Sequence, residues 1–120
     1  MGLDISFYKA KRGETDNMKE VAYFRKVNFL VKYFQYEENL SLKKLFIPKV
    51  QLLLDYCVKV LGDRSEETSK KLLPTQSGFF FGSTEYDQYY YEDVERVYET
   101  FKEVLDDLSD DEDLFMYCWW

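Results

Sequence analysis

Residues 77–84, with the sequence SGFFFGST, place three consecutive phenylalanines between Gly78 and Gly82. A short apolar run bounded by turn-forming residues is typical of a strand that is buried on both faces. The sequence therefore predicts that this segment forms the centre of a β-sheet, and the other elements are assigned around it.

On the C-terminal side, the spacing predicts a long helix that is capped by Thr84 and ends near Asp107. Its apolar positions recur with the period of a helix, which predicts the core face. These positions are Tyr90, Val94, Val97, Phe101, Leu105 and Leu108. The apolar tail LFMYCWW, residues 114–120, is predicted to be a final strand that docks on the sheet.

On the N-terminal side, Leu3, Ile5 and Phe7 alternate with polar residues, and this period of two predicts a half-buried strand. Asn17 followed by Glu20 is close to a capping box, which predicts a helix through about Glu38. The expected core face of that helix is Tyr23, Val27, Leu30, Val31 and Phe34.

In the middle of the chain, residues 45–47 are predicted as a short strand, and Pro48 suits the first turn of a second helix. That helix is expected to run to Leu61 and to stop at Gly62, and residues 65–72 to add one or two helical turns. The order β-α-(β)-α-β-α-β predicts a single α+β or α/β domain over residues 1–120. In it, three helices pack against a sheet of three or four strands.

The composition bounds the function. The chain has 120 residues, a formal net charge of −7 and no histidine, so the commonest general base is missing and most hydrolase triads are excluded. No secretory signal or membrane-spanning run is present, which predicts a cytoplasmic protein. Cys57 and Cys118 are predicted to be two reduced, partly buried thiols, and no cofactor or metal site is expected.

The charge is distributed unevenly along the chain. Residues 1–82 carry 14 basic and 10 acidic side chains, whereas residues 83–120 carry 2 basic and 13 acidic side chains. This distribution would either steer a basic protein partner or serve only solubility, and the overall acidic balance does not favour direct binding of nucleic acid.

A first candidate site lies at the predicted turn between strand and helix. Gly82, Ser83 and Thr84 could receive an anion at the free backbone N–H groups of a helix start, or Thr84 could simply cap its helix. A buried Arg25 would need a carboxylate, and Asp87 is the expected partner. This ion pair would either form the polar floor of a ligand pocket or only join two helices.

A second candidate site lies on the long helix. Neighbouring tyrosines cannot all face the core, so Tyr89 and Tyr91 are candidates for contact with a protein partner. A row of carboxylates spaced by three or four residues is predicted opposite the core face, either as a binding surface or as an ordinary solvated face. It consists of Glu92, Glu95, Glu99, Glu103, Asp106 and Asp110.

Several motifs together resemble a family of small uncharacterised proteins of bacteriophages and prophages. They are MGLD at the start, AYFRKVN (22–28), LLDYC (53–57), LLPTQSGFFFGSTEYDQYYYEDV (72–94) and a closing Tyr-x-x-Trp. The resemblance implies a phage accessory protein and supplies no catalytic residues. The leading hypothesis is a non-catalytic protein that binds a host protein, as an inhibitor of a nuclease or defence factor, through the acidic, tyrosine-rich helix. A small anionic-ligand binder or cryptic enzyme, and a virion or assembly component, are the alternatives.

Overall fold

The computed structural model describes residues 2–38 and 41–120. The elements follow in the order β1 (Asp4–Lys11), β2 (Lys19–Arg25), α1 (Asn28–Tyr33), β3 (Lys43–Lys44), α2 (Ile47–Asp63), α3 (Glu66–Leu72), α4 (Gln88–Asp107) and β4 (Glu112–Trp119), with a 3₁₀ turn at Thr15–Asn17 before β2. The strands form one antiparallel sheet in the order β2-β1-β4-β3. The predicted α+β class is therefore confirmed, and the antiparallel pairing decides against the α/β alternative.

One face of the sheet forms the core. Ile5 lies opposite Cys118 on β4 and Phe24 on β2, and all three side chains are buried. The next core position, Phe7, contacts Phe101 of α4 with ring centroids 4.8 Å apart in an edge-to-face arrangement. The alternation of strand side chains thus directs one set of residues onto the helices.

The other set of strand residues lies on the opposite side of the sheet, which we call the open face. Contacts between neighbouring strands join its members, as when Arg25 pairs with Asp4 and Lys44 pairs with Asp113. The open face consists of Asp4, Ser6, Tyr8, Ala10, Glu20, Tyr23, Arg25, Lys44, Asp113, Phe115, Tyr117 and Trp119. The open face is rich in aromatic residues. Of the strands that form it, β1 was predicted from the alternation of Leu3, Ile5 and Phe7 with polar residues.

The helix predicted over residues 17–38 is wrong. Residues Lys19–Arg25 form β2, and only Asn28–Tyr33 are helical. The apolar residues of this stretch fit both a helical period and an alternation, and pairing with the edge of β1 stabilises the alternation. Ala22 and Phe24 enter the core, while Tyr23 and Arg25 lie on the open face.

The central strand predicted at residues 77–84 is also wrong. This segment is a loop in which Phe79 is 85% exposed and only Phe81 is buried. The backbone N–H of Phe81 donates to the carbonyl of Gly78, which closes a turn. Phe80 has a φ of 66°, a left-handed backbone conformation that is incompatible with an extended strand. The centre of the sheet is formed instead by β1 and β4.

The remaining elements follow the prediction closely. The tail forms β4, α4 ends at Asp107, and Pro48 occupies the first turn of α2. The short strand lies at Lys43–Lys44, two residues earlier than predicted, and α2 continues past Gly62 to Asp63. Within the described residues, no helix is long and apolar enough to cross a membrane.

Candidate functional site

A cleft of about 190 Å³ lies between the end of β2, the start of α1 and the first turns of α4. Four of the five predicted ligand-binding residues line it, namely Arg25, Gly82, Ser83 and Asp87. Thr84 is not among the residues that line the cleft, and its carbonyl oxygen accepts a hydrogen bond from the Thr75 hydroxyl. The structure thus brings Arg25, from a distant part of the sequence, to the same cleft as the neighbouring residues Gly82, Ser83 and Asp87.

Asn28 holds the loop that forms one wall of this cleft. Its side-chain Nδ2 donates to the carbonyls of Phe81 and Ser83 at 3.0 and 2.9 Å, and its Oδ1 accepts the backbone N–H of Gln76 at 3.0 Å. The Asn28 side chain is buried, so these bonds replace water for polar groups that would otherwise be unsatisfied. This role of Asn28 is not visible in the sequence, because its partners are backbone groups about 50 residues away.

Gly82 is required where the loop passes β2. It has a φ of 85°, and a Cβ atom at this position would lie 3.1 Å from the Cβ of Lys26. A larger residue would therefore be strained both in its backbone and against its neighbour.

The start of α4 differs from the prediction. Asp87, rather than Thr84, caps the helix, and its side chain accepts the backbone N–H of Tyr90 at 3.1 Å. The Ser83 hydroxyl accepts the N–H of Glu85, which closes a local turn before the helix begins. Asp87 is thus engaged in helix capping.

The predicted Arg25–Asp87 ion pair is not the pairing that the structure shows. Arg25 ends β2 and pairs with Asp4 at 3.2 Å, with half of its side chain exposed. The prediction was wrong because it placed Arg25 on a helix; on a strand, residue 25 lies directly opposite residue 4 of β1.

The charges around the cleft are mixed. Arg25 and Lys26 face three carboxylates, those of Glu85, Asp87 and Asp93. Burial raises the pKa of Asp93, although the nearby Arg96 opposes this shift. A cleft with more carboxylates than cations does not favour an anionic ligand.

The outer surface of α4 carries most of the predicted partner-binding residues. Tyr89 is exposed, and so are Glu92, Glu99, Glu103 and Asp106. We call these five residues the α4 surface. Two basic residues, Arg96 and Lys102, are also exposed on α4, and the whole helix has seven carboxylates, which leaves a net charge of −5.

Three of the predicted partner-binding residues do not belong to the α4 surface. Tyr91 is buried and its hydroxyl lies 3.0 Å from that of Ser69, because α3 covers this side of α4. Glu95 is only half-exposed and pairs with Arg64 at the end of α2. Asp110 follows the end of α4 and is not part of the helix.

Among the described residues, the two cysteines are poorly suited to covalent catalysis. Cys57 and Cys118 are free thiols and are buried rather than partly buried as predicted, and this burial raises the pKa of each thiol to about 12. Such thiols stay protonated near neutral pH and are poor nucleophiles. Among the described residues, no group of three cysteine, aspartate or glutamate side chains is arranged to hold a metal ion.

The fold and these surfaces define a small two-layer α+β protein with an acidic helix on one side and an aromatic sheet face on the other. The chain matches no protein-family model, no curated protein and no solved structure.

Proposed function

We propose that this chain is a non-catalytic accessory protein of a bacteriophage that binds a basic region of a host protein through the α4 surface. The observation that carries the proposal is the concentration of exposed carboxylates beside the exposed ring of Tyr89. Carboxylates steer and orient a basic partner, and an exposed tyrosine supplies contact area at a low cost in side-chain entropy. The phage origin follows from the resemblance of the sequence motifs.

The interactions of α4 with the rest of the molecule support this assignment of roles. Its other side is anchored by Val94, Val97 and Phe101, which are fully buried. The exposed residues are therefore held on a rigid helix, which reduces the ordering that a partner must impose. Inhibition of a nuclease or of a defence factor fits this surface, because such proteins use basic residues to bind nucleic acid.

The test is a charge reversal on the α4 surface. Tagged protein and the variant Glu92→Lys/Glu99→Lys/Glu103→Lys are used to capture proteins from host lysate at low and high salt, and the captured proteins are identified by mass spectrometry. Glu95 is left unchanged because its ion pair with Arg64 joins α4 to α2. We expect a stoichiometric host protein whose capture is weakened by salt and abolished by the reversal.

The matched control carries the same change in net charge elsewhere. Glu14, Glu37 and Glu38 are exposed and lie outside α4, so reversing all three tests whether overall charge alone is responsible. Equal loss of capture in both triple variants, or capture that survives the α4 reversal, would refute the proposal.

The cleft beside Gly82 is the weaker alternative, as a site for a small anion. Its support is that Arg25, Gly82 and Ser83 line one cavity. A thermal-shift screen with inorganic phosphate and nucleotides tests it, and stabilisation that disappears in Lys26→Ala would favour this alternative.

A further inference from the structure

The helices α2 and α4 lie side by side and run in opposite directions. Ile47 at the start of α2 and Leu108 just after α4 line one cavity. Arg64, directly after α2, pairs with Glu95 in the first half of α4. Both helices bury one side in the core, so the seam between them faces solvent on the outer side of the helical layer. A groove therefore follows this seam along the length of α2.

The floor of this groove is apolar. A helix returns to the same side every three or four residues, and residues with this spacing form a line of half-buried side chains on each helix. The lines consist of Ile47, Leu54 and Leu61 on α2 and of Tyr98 and Leu105 on α4. Val58 has the same spacing on α2 and is 54% exposed. We call these six residues the α2–α4 groove.

A cavity of about 280 Å³ opens at one end of the groove. Ile47, Leu105 and Leu108 form its apolar wall. Arg12 lies at the edge, where its guanidinium donates to the carbonyl of Asp110 at 3.2 Å. An apolar cavity of about 150 Å³ already holds a molecule of the size of benzene. This cavity therefore has room for one large apolar side chain of a partner.

The rim of the groove on the α4 side is negative. Glu99 and Asp106 directly follow two groove residues, Tyr98 and Leu105, and Asp110 lines the cavity. All three carboxylates are exposed, and among the described residues none of them takes part in an ion pair. Cationic groups of a partner can approach them without breaking an internal pair.

Arg64 and Lys102 adjoin the groove, and both already have partners. Arg64 pairs with Glu95, and the ammonium of Lys102 lies over the ring of Tyr98, 5.8 Å from its centre. The net charge of α4 is −5, so a basic occupant is favoured over an acidic one. A second copy of the chain would bring another acidic α4 to the groove, and repulsion between like charges disfavours that arrangement.

We propose that the α2–α4 groove binds a basic amphipathic helix of the partner protein. The apolar side of that helix lies on the groove, one large side chain enters the cavity, and lysine or arginine residues lie beside Glu99, Asp106 and Asp110. From Ile47 to Leu61 the groove is about 21 Å long at 1.5 Å per residue, which matches about four helical turns. Because Glu99 and Asp106 belong to the α4 surface, this binding mode rests on the proposed function and specifies the partner's segment.

The experiment uses synthetic peptides, so it does not depend on the host protein. The probe is a labelled peptide of about sixteen leucine and lysine residues, ordered so that the leucines form one side of a helix. A scrambled peptide of the same composition and a peptide with glutamate in place of lysine are the matched controls. Fluorescence anisotropy measures Kd, and we expect the probe to bind at least about tenfold more tightly than either control.

Two variants of α2 locate the bound peptide. Val58→Lys places a charge in the groove and should weaken binding of the probe roughly ten- to hundredfold, because it removes an apolar contact and repels a basic peptide. Leu52 is 41% exposed and lies two positions from Leu54, on the far side of α2. Leu52→Lys adds the same charge beyond a Debye length from the groove, so Kd should change less than about threefold.

The rim is tested by removing charge at nearly constant size. Glu99→Gln/Asp106→Asn should weaken binding of the probe roughly three- to tenfold at low salt and less at high salt, because salt screens exposed charges. Glu14→Gln/Glu37→Gln removes the same charge from exposed positions outside α4 and should leave Kd nearly unchanged. Equal losses in these two variants would remove the rim from the site.

Thermal unfolding shows whether each variant is folded, and Gln51→Lys at the edge of the cavity replaces Val58→Lys if the latter does not fold. Equal binding of the probe and the scrambled peptide would overturn the proposal, as would equal losses in Val58→Lys and Leu52→Lys. Light scattering adds a further test, because a dimer that Val58→Lys dissociates would mean that a second copy of the chain occupies the groove.

Capture from host lysate with the same two lysine variants separates the groove from the proposed function. A host protein that is lost with the triple reversal of the α4 surface and with Val58→Lys, but retained with Leu52→Lys, supports both. A host protein that is lost with the triple reversal alone keeps the proposed function and overturns the groove. If no host protein is captured, the proposed function fails and the peptide result alone decides on the groove.

Discussion

Asn28 gives the most direct test of how the cleft loop is held. The Asn28→Ala variant removes three hydrogen bonds, two donated to the carbonyls of Phe81 and Ser83 and one accepted from the N–H of Gln76. At about 1 kcal/mol for each bond, the free energy of unfolding should fall by about 3 kcal/mol. With roughly 4 °C for each kcal/mol in a chain of this size, Tm should fall by about 12 °C.

The assay is urea unfolding followed by circular dichroism, with Asn17→Ala as the matched control. Asn17 is an exposed asparagine in the 3₁₀ turn, so its truncation should change stability by less than about 0.5 kcal/mol. Hydrogen exchange adds a local readout, because the N–H of Gln76 should lose protection in Asn28→Ala. A loss below about 1 kcal/mol, or one equal to that of the control, would refute the role assigned to Asn28.

The Asn28→Asp variant tests the direction of the hydrogen bonds through pH. It keeps the size of the side chain but turns a carboxyl oxygen toward the carbonyls of Phe81 and Ser83, which disfavours the ionised form. The pKa of the introduced carboxyl should therefore be higher in the folded than in the unfolded state. Its penalty, relative to wild type, should be smallest below about pH 4 and should grow as pH rises through the folded pKa. An equal loss of stability below about pH 4 and above the folded pKa would contradict this direction of the hydrogen bonds.

Two further predictions follow from the described geometry. The thiols of Cys57 and Cys118, whose pKa values burial raises to about 12, should not react with a thiol reagent at mildly alkaline pH until the protein is unfolded; rapid reaction of the folded protein would contradict this. Asp87→Ala should lower stability by about 1 kcal/mol because it removes the cap of α4, whereas Thr84→Ala should be nearly neutral; comparable losses in thermal melts would restore Thr84 as a cap.

The sequence correctly predicted those elements whose pattern of apolar residues and caps fits only one type of secondary structure. The core face of α4 has the helical period over five turns, and Tyr90, Val94, Val97 and Phe101 are buried as expected. The segment at Glu66–Leu72 is another such case, since Ser65 caps it through the N–H of Thr68. These elements depend on local chemistry and on one apolar face, which are both visible in the sequence.

The candidate site was predicted only in part. Gly82, Ser83 and Asp87 line the cleft, because chain connectivity keeps a turn next to the helix that follows it. The partner of Arg25 was wrong, because it depends on the register between β1 and β2. Asn28 was missed for a similar reason: its role exists only once distant backbone groups have been brought to it.

By itself, the sequence determined a single domain of mixed helices and strands, the long amphipathic helix, the first and last strands and the concentration of acidic residues near the C-terminus, and the antiparallel pairing of the structure then decided for the α+β class. The tertiary structure alone decided that Lys19–Arg25 form a strand and that residues 77–84 do not. It also decided that Tyr91 faces α3 while Tyr23 and Trp119 share the open face. The physical reason is that a short apolar run gains similar burial as a helix or as a strand, so the hydrogen bonds of a distant strand select between them.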